Sequence, residues 1–64
     1  MSFAIDLQNI IGRNDATNFS AQLMRLVFKA DWRNRAKLRH EYPNLVRMVE
    51  EYQTSGKILG LPDD

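Results

Sequence analysis

Between Thr17 and Ala30, apolar residues return every three or four positions as Phe19, Leu23, Leu26, Val27 and Ala30, while Asn18, Gln22, Arg25 and Lys29 gather opposite them. With about 3.6 residues per turn, that spacing predicts an amphipathic helix over 17–30, capped by Asp15 or Thr17. Met24 and Phe28 fall on a second flank, so the apolar arc exceeds the roughly 100° that a single neighbour covers. A helix with two apolar flanks belongs at the centre of a fold.

The pattern then breaks and restarts twice. Asp31 is a good cap for a helix from Trp32 to about Glu41, which stops near Tyr42 because a proline disfavours the α conformation in the residue before it. Pro43 suits the first turn of a further helix reaching Ser55, with Leu45, Met48, Val49 and Tyr52 on one face and Arg47, Glu50, Glu51 and Thr54 on the other. Gly56 is its stop. At the other end of the chain, Phe3, Leu7, Ile10 and Ile11 fit a helix ended by Gly12, whereas Phe3, Ile5 and Leu7 alternate as a strand would. The helix is the better reading: Ser2 can cap it, a single strand has nothing to pair with, and a short helix could cover the spare flank of Met24 and Phe28.

These elements predict an all-α chain: a compact bundle of three helices, Thr17–Ala30, Trp32–Glu41 and Pro43–Ser55, preceded by a short N-terminal helix. Residues 1–64 form a single small domain. Residues 57–64, punctuated by Gly60 and Pro62, carry Ile58, Leu59 and Leu61 back toward the core and are expected to fray at their polar end.

Length sharpens the picture. A core of 64 residues contributes about 3–5 kcal/mol of net stability at most, and the chain has no Cys for a disulfide or a thiolate zinc site. A partner subunit is the remaining common support. No run approaches the ~20 apolar residues of a membrane span, and the first residues lack the basic leader and cleavage site of a signal peptide. The expected location is the cytoplasm, so the formal sequon Asn18-Phe19-Ser20 reads as coincidence.

The net charge of +1 hides an uneven layout. Residues 25–47 carry Arg25, Lys29, Arg33, Arg35, Lys37, Arg39 and Arg47 against Asp31 and Glu41, a surplus of five positive charges, while Glu50, Glu51, Asp63 and Asp64 outweigh Lys57 in the last seventeen residues. On the Trp32–Tyr42 wheel, Arg33, Lys37 and His40 share one side. Arg35 and Arg39 fall among Trp32, Ala36, Leu38 and Tyr42, where their stems can lie on apolar neighbours and their heads can pair with Glu50 or Glu51.

Chemistry is sparse. His40 has no second His or Cys with which to hold a metal, and Glu50 and Glu51, adjacent on a helix, point about 100° apart rather than facing each other. Gly12, Gly56 and Gly60 form no phosphate-cradling loop. We therefore expect no catalytic, cofactor-binding or metal-binding residues and no small-molecule substrate. A basic helix after a tight turn invites comparison with a DNA-reading helix-turn-helix. The turn lacks the usual Gly, however, Trp32 would occupy the end that meets base edges, and the overall charge is low. Nucleic acid is the lesser alternative.

The apolar surplus favours protein. Met24, Phe28, Trp32, Tyr42, Met48, Ile58, Leu59 and Leu61 are more than three short helices readily hide, and Met, Trp, Tyr and Arg are enriched at interfaces. The expected partner surface is Met24, Phe28 and Trp32 rimmed by Arg33 and Lys37. It would serve either self-association or a protein partner.

The stretch Leu26 to Val46, with its apolar helix ending in Lys29-Ala30-Asp31, then Asn34-Arg35, Leu38, Tyr42-Pro43 and Val46, resembles a pattern in small bacteriophage and prophage proteins. The resemblance covers about a third of the chain. It implies a bacterial cytoplasm and a role in phage or mobile-element biology through binding a host or phage protein, and it supplies no site residues. Asp31, Asn34 and Pro43 match best, and helix capping and termination alone would place them there.

Overall fold

A computed structural model of the chain describes residues 2–12 and 16–64. Among them the backbone forms four helices and no strand: α1 (Phe3–Gly12), α2 (Phe19–Lys29), α3 (Trp32–Glu41) and α4 (Pro43–Ser55). The strand alternative for the N-terminal segment falls away. Ser2 Oγ accepts the amide of Ile5 at 3.2 Å, closing the first turn of α1 as a cap residue should. None of these helices is long and apolar enough to cross a membrane.

α2 begins later than the spacing predicts. Thr17 is not its cap; Asn18 holds that position without a side-chain bond to its own helix, because its amide donates across to Asp6 Oδ1 of α1 at 3.1 Å. The other expected cap, Asp15, lies outside the described residues. Asp6 is buried at 1% exposure, and its Oδ2 has no hydrogen-bond partner among the described residues.

α2 is also rotated relative to the expected stripe. Its buried residues are Ala21, Leu23, Met24 and Val27, so the core face centres on Met24, which is 0% exposed. Phe19 and Leu26, expected inside, lie on the reverse side. The assignment of Met24 to a partner surface is therefore corrected. α2 has both α1 and α4 to meet, and the arc centred on Met24 is the one that spans both, placing its flexible thioether in the same core cluster as Leu7, Leu45 and Met48.

α3 contributes no buried residue. It is held by its ends, by charge and by Leu38, which packs half-buried against the core. Asp31 caps it as expected, Oδ1 accepting the Asn34 amide at 2.9 Å. Arg35 reaches back to the end of α2, donating from Nε to the Ala30 carbonyl at 3.2 Å and from Nη2 to that of Phe28 at 3.4 Å, which satisfies carbonyls that a helix terminus leaves open. The expected pairing with Glu50 is present: Arg39 Nη2 lies 2.7 Å and Arg35 Nη1 3.7 Å from its Oε2.

α4 carries Pro43 in its first turn and ends at Gly56, whose φ of 76° is the left-handed conformation that glycine adopts without strain. Its Leu45, Val46, Met48 and Val49 join Phe3, Leu7 and Ile10 of α1 and the inner face of α2 in one core. The segment expected to fray is fastened instead. Ile58, Leu59 and Leu61 pack half-buried on the core, and beyond them Asp63 Oδ1 accepts the Phe3 amide at 2.9 Å. Asp64 accepts the amides of Asn44 and Leu45, both at 3.0 Å. Two neighbouring aspartates thus cap α1 and α4, and Pro62 O takes the Asn44 side chain at 2.9 Å.

Candidate functional site

A helix of two flanks with only one turned inward leaves the other on the surface. Residues 19, 22, 26 and 29 fall together on the outer side of α2, and there Phe19 is 67% and Leu26 59% exposed. They are seven positions apart, two turns, which spaces them about 10.5 Å along the helix.

α3 runs back beside α2 and supplies the other wall. Tyr42 lies against Phe19, with ring centroids 6.1 Å apart and planes tilted by 52°. One turn earlier, half-buried Leu38 joins Leu26 and Ala30 in an open trough of about 420 Å3, bordered by Lys29 from α2 and by Asn34 and Lys37 from α3. The floor is apolar, and a lysine stands on each bank. A single exposed Leu would need no explanation, but here two large exposed apolar side chains share one side of α2, Leu26 beside Leu38 and Phe19 beside Tyr42.

The structure scatters the expected partner residues. Met24 is in the core. Phe28 is half-buried on another side of α2, edge-on to Tyr52 at 6.4 Å, where it lines a cleft of about 520 Å3 with Ile10, Ile11, Arg25, Lys29 and Tyr52. Trp32 is 77% exposed, and the Arg33 guanidinium sits over its ring at 5.7 Å from the centroid. Trp32 belongs to a hollow facing α4, shared with Arg35, Ala36, Arg39 and Glu50. Lys37 alone of the five borders the α2–α3 trough. Phe19 and Leu26 were assigned to the core by the sequence spacing. The wide apolar arc predicts a central helix covered on both flanks; the structure covers the arc centred on Met24 and leaves Phe19 and Leu26 outside.

The polar groups offer little chemistry in one place. His40 Nδ1 lies 2.7 Å from Glu41 Oε2, with both side chains exposed at the end of α3. Among the described residues, no group of three or more His, Cys, Asp or Glu side chains is placed to hold a metal ion. Glu51 Oε2 receives the Ser55 hydroxyl at 2.7 Å within its own helix.

No family model matches the chain, and neither curated proteins nor solved structures give a match to it.

Proposed function

We propose that this chain is a non-enzymatic protein-interaction module whose docking surface is the α2–α3 face. In this reading α2, α3 and α4 form the three-helix bundle that presents the surface, and α1 packs beneath it as support. The observation that carries the proposal is the exposure of Phe19 and Leu26 on one side of α2, above the half-buried Leu38 and Tyr42. Desolvating such a strip is the main favourable term in protein association, and aromatic anchors over apolar pockets supply most of its energy. The resemblance over 26–46 supports looking for the partner among host or phage proteins of a bacterium.

Nucleic acid is the second reading, favoured by one feature: α3 has no fully buried residue and turns Trp32, Arg33 and Lys37 outward. Its usable charge is smaller than the sequence suggests, since Arg35 and Arg39 are committed to Glu50. Phosphate binding would be lost steeply with salt.

The two readings separate in one comparison. Tagged wild-type chain, Phe19→Ser/Leu26→Ser and Arg33→Ala/Lys37→Ala are used to capture partners from bacterial lysate before and after nuclease treatment. The proposal expects a nuclease-resistant protein held by wild type and by the arginine–lysine variant and released by the Phe19–Leu26 variant. Capture that disappears with nuclease, or with Arg33 and Lys37, would transfer the function to nucleic acid.

A further inference from the structure

The docking face has a shape and a charge, and together they narrow its occupant. Phe19 and Leu26 stand two turns apart on α2; the trough between α2 and α3 opens to solvent beside Leu26, and Phe19 lies beyond its end, against Tyr42. That is the layout of a groove for a helix whose apolar residues recur at i, i+3 or i+4, and i+7, the first and last reaching both anchors. Lys29 and Lys37 flank Leu26 from opposite banks, and among the described residues no acidic one lines the trough.

From this we infer that the occupant is an amphipathic helix of another protein carrying acidic residues on either side of its apolar stripe. This inference rests on the reading of the α2–α3 face as a protein-docking surface. Charge argues against a second copy on the same face: in a twofold contact the patch meets itself, so one lysine-rimmed face would be desolvated against another. Charge also argues against nucleic acid at this position. A phosphate backbone could meet both lysines but would leave Phe19 and Leu26 uncovered.

The test uses the full chain, isotope-labelled, and two synthetic helical peptides with the same leucines at i, i+4 and i+7, one flanked by Glu and the other by Lys. Both are titrated while the Phe19, Leu26 and Leu38 resonances are followed. The Glu-flanked peptide is expected to shift all three and to bind at least about tenfold more tightly at low ionic strength, as two charge pairs at a partly desolvated rim would give. Lys29→Gln/Lys37→Gln should reduce that preference to near unity, and salt should erode it. Equal affinity for the two peptides would overturn the acidic partner while leaving the docking face standing. Failure of both to move any of the three resonances would overturn the docking face itself. Light scattering that finds a dimer with Leu26 covered would replace the foreign helix with a second copy.

Discussion

α2 and α3 are neighbours of nearly equal length, 11 and 10 residues, joined only by Ala30 and Asp31, yet opposite things hold them in place. α2 buries Ala21, Leu23, Met24 and Val27 and would stay where it is if its surface charges were exchanged. α3 has no fully buried residue; the half-buried Leu38, an aspartate at its start, a shared Tyr42 at its end and two arginines gripping Glu50 and the end of α2 define it. The contrast shows two ways to position a helix. Burial fixes rotation strongly because each buried side chain is worth about 1.5–3 kcal/mol, whereas a cap is worth about 0.5–2 kcal/mol and an exposed ion pair about 1 kcal/mol or less. A helix held the second way keeps most of its side chains available to other molecules.

The largest test of that contrast is within α2 itself. Met24→Ala should destabilise the chain by about 2–5 kcal/mol, comparable to the whole stability of a core this small, so that urea unfolding begins with little or no native baseline. Leu26→Ala, two residues away and similar in chemistry, should cost no more than about 0.5 kcal/mol, as a surface change does. Similar losses at the two positions would mean that Leu26 is buried and α2 is rotated back toward the stripe read from its spacing.

That rotation marks the limit of what periodicity conveys. The boundaries of α3 and α4 were legible because they are written in local chemistry: Asp31 before Trp32, Pro43 after Tyr42, Gly56 after Ser55. The pairing of Arg35 and Arg39 with Glu50 was legible too, since both arginines sat on the wrong side of their wheel for solvent. The face of α2 was not. Its apolar arc is wide enough that Phe19 or Met24 could have pointed inward, and the choice depends on where α1 and α4 lie, which spacing within α2 does not encode. The two caps supplied by the tail were equally hidden. Tyr42 offers α4 no side-chain cap, and the carboxylate that does the work belongs to Asp64, brought close only by the tertiary fold. Of the expected interface residues, Trp32, Arg33 and Lys37 are on the surface because α3 is, while Met24 is in the core, Phe28 is half-buried, and Phe19 and Leu26 are the large apolar residues that α2 exposes.

A middle-sized effect probes how α3 is held. Asp31→Ala removes the acceptor for the Asn34 amide, 2.9 Å away, and no other side chain bonds that donor. The cost should be about 1 kcal/mol, within the usual 0.5–2 for loss of a cap. Hydrogen exchange should localise it: the amides in the first turn of α3 lose protection while those of Met24 and Val27 in α2 keep theirs. Loss of protection spreading evenly through both helices would show that α3 is coupled to the core more tightly than its lack of buried residues implies.

The smallest effect is the most discriminating, because it asks whether the Glu50 contacts hold α3 or only decorate it. Glu50 and Arg39 are each about a third to a half exposed, at 34% and 48%, so solvent screens their 2.7 Å pair strongly. Glu50→Gln keeps the shape and an acceptor oxygen while removing the charge. The expected loss is about 0.2–1 kcal/mol, shrinking further as salt is added. Arg35 should keep its place, since its guanidinium also donates to the Ala30 and Phe28 carbonyls. Glu50→Gln and Arg35→Met should therefore differ: the first trims α3's outer grip, and the second also strips the cap from the end of α2. If Glu50→Gln costs as much as Arg35→Met, the charge pair is the main tether of α3, and the carbonyl contacts of Arg35 contribute little.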